Sequence, residues 1–245
     1  MKKCLSTANL MSAGQVDKAL EQVKQLGFAQ VELSLSEFTA SQTEQLNDLA
    51  DRVEQAGIGI SSIGNTEFDL FSLCSLDESM RERALTSYEQ MIPWAGQREK
   101  FGDQEKPLVI IRAKSNQSDS NNNKETGRGV VTSYERSFNL LFEALERLTQ
   151  VALKERVCLA FENPGAGLLL SPLEVRELID QLNSPYVGIC FNPHNAQILG
   201  DPLDWLKILG RRVLAVRTET GSINPEIVAE LERINFQGIL ICEKT

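Results

Sequence analysis

Two hydrophobic periods alternate along this chain. Short, mostly apolar runs at residues 3–10, 58–63, 107–111, 157–161, 187–191, 213–216 and 238–242 read as strands, and residues 30–35 (QVELSL) alternate as a further strand with one polar side. Between the strands the period is helical. Residues 15–26 carry Val16, Ala19, Leu20, Val23 and Leu26 and stop at Gly27; residues 41–56 carry Leu46, Leu49, Ala50 and Val53 and stop at Gly57. Residues 78–94 are expected to be helical up to Pro93, and residues 133–153 form a long amphipathic helix. Start signals support the rest. Ser41 with Glu44, and Ser171 with Glu174, have capping-box spacing, and Pro172 suits a first turn. Asp201–Pro202 and Asn224–Pro225 repeat the pattern of cap and first-turn proline for helices at 201–209 and 224–234.

Strands alternating with helices imply parallel pairing and right-handed crossovers. Eight such strands with seven helices favour a closed (β/α)8 barrel over an open doubly wound sheet, and no GxGxxG or GxxxxGK[ST] turn marks a nucleotide fold. Residues 1–245 are expected to form one domain. The sequence stops after the eighth strand, without a closing helix. Apolar barrel surface between strands eight and one is then expected, which a second copy could cover. Residues 114–128 are polar and aperiodic, and read as a loop inserted after strand four, either a surface insertion or a lid.

Composition narrows the class. With 245 residues, 42% of them hydrophobic, the chain can bury a substantial core. A net charge of −9 argues against a nucleic-acid partner. No stretch has the length and apolarity of a membrane span, and the first residues, MKKCLSTANLMS, lack the apolar segment of a signal peptide, so a cytoplasmic location is expected. The five cysteines form no CxxC and read as reduced thiols.

The chemistry is concentrated where strands end. The stretch 157–195 holds two apolar runs, one leading into Glu162 and Asn163, the other into Asn192, His194 and Asn195. Strand two contains Glu32, strand three is followed by Asn65 and Glu67, strand four by Arg112 and Lys114, strand seven by Arg217 and Glu219, and strand eight by Glu243 and Lys244. A parallel barrel brings these positions to one rim. Glu162, Asn163, Asn192 and His194 are therefore expected to share a pocket. Glu162 and Glu243, from strands on opposite sides, could flank a substrate, one removing a proton and the other returning it. Internal ion pairs, Glu162 with Arg217 or Glu243 with Arg112, are the structural alternative. His194, the only histidine, stands beside Pro193 and reads more readily as a loop residue than as a catalyst. Arg112 and Arg217 could clamp a small polar or anionic ligand.

The segment ENPG…SPLEVRELID…YVGICFNPHNAQILGDPLDWLKILGRRVLAVRTET resembles the second half of the xylose isomerase-like barrels, the sugar phosphate isomerase/epimerase group that also includes zinc AP endonucleases. The register runs from about Ala29 to Glu243 and is best from Cys158 onward. The resemblance implies one divalent metal held by Glu after strand five, Asp after strand six, His after strand seven and Glu after strand eight, with the two glutamates exchanging the substrate proton. Glu162 and Glu243 match the glutamates. Asn192 stands where the family has Asp, Arg217 where it has His, Asn195 where a further His is common, and Arg112 where another is frequent. An arginine has only donors and a fixed positive charge, so it cannot ligate a cation. No cofactor is therefore expected; any metal would be left with Glu162, Asn192 and Glu243. Two functions follow: a sugar isomerase or epimerase in which arginine supplies the charge usually given by the metal, acting on a carbohydrate-like hydroxy-carbonyl compound, or a barrel without chemistry that binds a small molecule. A nuclease of the AP endonuclease type is disfavoured, because one histidine cannot supply a zinc cluster.

Overall fold

The computed structural model describes residues 2–7, 16–35, 42–98, 106–113, 133–219 and 223–243. Eight strands form a closed barrel in sequence order: β1 (Lys2–Ser6), β2 (Gln30–Leu35), β3 (Gly59–Asn65), β4 (Leu108–Ile111), β5 (Cys158–Glu162), β6 (Val187–Phe191), β7 (Val213–Glu219) and β8 (Ile239–Glu243). All pairings are parallel, and β1 closes the ring by pairing with both β2 and β8. This is the (β/α)8 architecture expected from the alternation. The helices are α1 (Val16–Gln25), α2 (Thr43–Gln55), α3 (Glu78–Gln97), α4 (Tyr134–Glu155), α5 (Pro172–Leu182), α6 (Pro193–Leu199), α7 (Pro202–Leu209) and α8 (Pro225–Arg233).

Alternation along each strand separates two cores. Residues such as Val31, Leu33, Leu159, Phe161, Ile189 and Phe191 point outward and pack with Leu145, Leu148, Leu178 and Trp205 of the helices. The inner cluster is Cys4, Leu108, Ile110, Ala160, Cys190, Ala215, Ile239 and Ile241. Small side chains (Cys4, Ala160, Cys190, Ala215) share it with branched aliphatic ones (Leu108, Ile110, Ile239, Ile241), a mixture that fills a narrow eight-stranded interior. Stepping two residues further along β4 to β8 from this inner set gives Arg112, Glu162, Asn192, Arg217 and Glu243. The period of two therefore carries an apolar interior directly into a charged mouth.

Local chemistry explains the helix starts. Ser171 Oγ accepts from the Glu174 N–H at 3.2 Å. The Glu174 carboxylate reaches the Leu170 N–H at 2.9 Å, so the expected capping box closes one residue upstream. Asp201 and Asn224 cap α7 and α8 through the N–H groups of Leu203 and Glu226. Four expectations are corrected. Helix α3 does not stop at Pro93 but runs to Gln97. Burial of Ile92, Trp94 and Ala95, with Trp94 Nε1 donating to Asn47 Oδ1 at 2.8 Å, outweighs the one hydrogen bond a proline removes. Helix α2 begins at Thr43 with Gln42 in the cap position and no side-chain cap bond; Ser41 lies outside the described residues. Helix α6, between β6 and α7, was not expected from periodicity, since it has seven residues and one buried side chain, Ala196. Strand β7 continues past Val216 to Glu219, pairing Arg217 with Ile241 and Glu219 with Glu243.

The inserted loop at 114–128 and Lys244 lie outside the described residues. All five cysteines are free. Among the described residues, no helix is long and apolar enough to cross a membrane.

Candidate active site

Arg217 lies at the centre of the barrel mouth and is 1% exposed. An arginine inside a strand would be an expensive burial without partners. Here three strands supply carboxylates. Glu32 on β2, itself fully buried, takes a two-pronged grip: Arg217 Nη1 donates to Oε2 at 3.0 Å and Nη2 to Oε1 at 2.8 Å. Arg217 Nη1 also donates to Glu243 Oε1 at 3.0 Å. Its Nε lies 3.3 Å from Glu162 Oε2, near enough to pair but without a hydrogen bond. Arg112, at the end of β4, donates through Nη2 to the same Glu243 oxygen. Three carboxyl groups thus face two guanidiniums.

The surplus negative charge falls on Glu162. Burial pushes its carboxyl above the ordinary range, and Arg217, the Asn192 hydrogen bond and Arg112 offset this only in part. Glu32 goes the other way: burial would raise it, but the Arg217 charge and hydrogen bonds hold it below its ordinary value. Arg217 is held well above its own, because Glu32 and Glu162 outweigh desolvation. Protonation of Glu162 alone would make the five groups neutral.

Asn192 explains itself through its neighbours. Its Oδ1 accepts from the N–H groups of His194 and Asn195, at 3.0 and 3.2 Å, and caps α6. That leaves Nδ2 to donate to Glu162 Oε1 at 2.6 Å. An aspartate in this position would set a second carboxylate against Glu162 with nothing between them. Asn192 and Arg217 are therefore consistent with each other: one donates to Glu162 and the other neutralises it. Asn163 holds the pair of strands in place. Its Oδ1 accepts from the Asn192 N–H at 2.7 Å, and its Nδ2 donates to the Asn192 carbonyl at 3.0 Å. Asn195 Nδ2 donates to the Asn163 carbonyl at 2.9 Å.

The expected site residues thus separate into groups. Glu162, Glu243, Arg112, Arg217 and Asn192 meet in one cluster, and Asn163 supports it. His194 does not join them: it sits in the first turn of α6 and is exposed, because the Asn192 cap turns the chain there into a helix. The backbone of Glu219 ends β7 beside Glu243; its side chain lies outside the described residues. Asn65 is buried and spends its amide on the N–H groups of Glu67 and Phe68 and on Ser87, and Glu67 is exposed. The residue that sequence reasoning left without a role is Glu32. The signal was an acid on the same side of β2 as Gln30 and Ser34, which topology placed at the rim but to which no partner or function was given. Both ion pairs of the structural alternative, Glu162 with Arg217 and Glu243 with Arg112, are present.

The cluster offers poor ligands for a divalent cation. Among the described residues, no group of three or more His, Cys, Asp or Glu side chains is arranged to hold a metal ion. A guanidinium lies among the carboxylates, and a fixed positive charge there repels a second one.

A closed parallel barrel with convergent polar side chains at the carboxyl ends of its strands defines a TIM-barrel protein, and those strand ends are where the candidate site lies. Its family is shown by sequence: the chain belongs to the xylose isomerase-like TIM barrels, whose family profile matches residues 20–245. No curated protein sequence shows significant similarity to it. Among solved structures, the apo 3-keto-D-glucoside 4-epimerase YcjR of E. coli superposes with a TM-score of 0.77 at 15% identity, covering 99% of this chain and 91% of that one. A D-psicose 3-epimerase with D-tagatose from Clostridium cellulolyticum H10 gives 0.74 at 17% identity, over 99% and 84%. An AP endonuclease, family 2, from Brucella melitensis gives 0.70 at 12% identity, over 98% and 92%. Likenesses at these identities establish the fold.

Proposed function

We propose that this protein acts on a small hydroxy-carbonyl compound of the carbohydrate type, as an isomerase or epimerase that works without a divalent metal. The observation that carries the reading is the position of Arg217, buried between the two glutamates expected to exchange the proton. In such a reaction one carboxylate removes the proton on the carbon beside the carbonyl, an enediolate oxyanion forms, and a carboxylic acid returns a proton. Glu162, with its raised carboxyl, and Glu243, partly exposed at the mouth, take these two parts. Arg112, whose side chain is 14% exposed, donates to the substrate oxygen that gains charge, and Arg217 supplies fixed positive charge beneath it. The family membership, and fold neighbours that include a 3-keto-D-glucoside 4-epimerase and a D-psicose 3-epimerase, support a sugar-like ligand.

A specific feature favours a second reading. Three of the hydrogen bonds Arg217 donates already go to Glu32 and Glu243, so much of its capacity serves the fold. The barrel would then bind a carbohydrate-like molecule without transforming it. Incubation of the metal-free protein in D2O with a panel of ketoses, aldoses, keto-glycosides and their phosphates separates the two. The enzyme reading expects deuterium at a carbon next to the carbonyl, lost in both Glu162→Gln and Glu243→Gln. Saturable binding without exchange would support the binding protein. Activity that appears only with a stoichiometric divalent ion would overturn the metal-independent mechanism.

A further inference from the structure

The opposite end of the barrel carries a feature that the rim chemistry does not use. A cavity of about 620 Å³ opens at the amino ends of the strands, in the size range of small-molecule sites. Lys2, Lys106 and Arg211 line it, over a floor that includes Leu108, Leu214 and Phe236. None of the described residues lining it is acidic, although the chain as a whole carries a net charge of −9. Basic groups set over apolar walls concentrate a positive field in a cleft. Asp180, whose charge Arg211 also feels, is committed to Arg212 through two bonds of 2.7 Å. Lys106 is held in position, its ammonium 4.3 Å from the centre of the Tyr186 ring. The floor is preformed: a Cβ on Gly238 would come within 2.6 Å of the Phe236 ring and 2.0 Å of the Leu214 carbonyl oxygen, so only glycine lets the ring lie against β8.

We propose that this cavity is a second ligand site, for a small anion with an apolar body, such as a phosphate or carboxylate on an aromatic group. Lys106 and Arg211 hold the anionic head, and Phe236 and Leu214 cover the body. Inner side chains of the barrel, Ile110, Ala160 and Ile241 among them, lie between this cavity and the glutamates of the mouth, so the proposal does not depend on the proposed function.

The test is calorimetric titration of the whole protein with 1-naphthyl phosphate, with 2-naphthol and inorganic phosphate as the body and the head alone. Naphthyl phosphate is expected to bind one to one, more tightly than either part, and to weaken as salt is raised. Both basic side chains are exposed, so K106Q/R211Q should melt as the parent does and bind naphthyl phosphate roughly tenfold more weakly. Its binding of naphthol should not change, and E243Q should bind naphthyl phosphate as the parent does. The proposal is overturned by any of four results: no saturable binding up to millimolar ligand, affinity within twofold in K106Q/R211Q, loss of binding in E243Q, or inorganic phosphate binding as well as naphthyl phosphate.

Discussion

Replacing Arg217 by methionine tests whether the mouth is held by one buried cation. The side chain keeps its approximate length and loses its charge, leaving Glu32 and Glu162 buried and without their main partner. Removing one member of a buried ion pair costs about 3–5 kcal/mol. Proton uptake limits the penalty. Protonating at pH 7 a carboxyl with an ordinary pKa of 4.5 costs about 3.4 kcal/mol, at 1.36 kcal/mol per unit. Glu162, already raised, needs less. A deficit of about 3–5 kcal/mol at pH 7, or roughly 6–20 °C in Tm for a domain of this size, is therefore expected. Its pH dependence gives the sharper signature. In the parent, the lowered Glu32 contributes stability that is present above 4.5 and is lost as the pH falls through its folded value. The raised Glu162 contributes stability that is present below 4.5 and is lost as the pH rises through its folded value. Without Arg217, both carboxyls behave as Glu162 does. The deficit should then shrink to about 1–2 kcal/mol at pH 5 as each proton becomes easier to bind. Urea unfolding of parent and variant at pH 5, 6 and 7 measures this, and E32Q/R217M should recover at least about 2 kcal/mol at pH 7 relative to R217M. A deficit under about 1 kcal/mol at pH 7, or one equal at pH 5 and pH 7, would refute the electrostatic account.

Other substitutions probe the remaining contacts. N192D/R217H restores an acid and an imidazole beside Glu162 and Glu243, and should acquire a stoichiometric divalent ion by elemental analysis while the parent acquires none; equal metal content in both would contradict the role given to Arg217. Asn163→Ala removes two bonds to the Asn192 backbone and should lower stability by about 1–3 kcal/mol, with any turnover falling because Asn192 no longer fixes Glu162. Thermal melts and exchange rates measured together check it. Gly238→Ala forces a Cβ to within 2.0 Å of the Leu214 carbonyl oxygen and should cost at least about 1–3 kcal/mol, or prevent folding, as read by circular dichroism.

Much of the barrel was legible in the chain because its signals are local. Strands buried on both faces give short apolar runs, helices give a 3.6-residue period, and Ser171, Asp201 and Asn224 mark starts that the structure retains. Once the strands are parallel and closed, every strand end comes to one mouth, so Glu162, Asn192, Arg217 and Glu243 could be placed together by topology alone. Where the sequence misled, tertiary contacts overrode a local rule. Pro93 stays inside α3 because its neighbours are buried, and His194 leaves the site because the Asn192 cap winds the chain into a short helix. The partner of Arg217 was beyond reach as well. Glu32 lies 185 residues away, on a strand across the barrel, and its alternating surroundings look like any half-buried strand. Sequence by itself determined the fold and which chemical groups surround the mouth. Only the closed tertiary structure decided which charges neutralise one another, because that depends on distances across the barrel interior that no local pattern encodes.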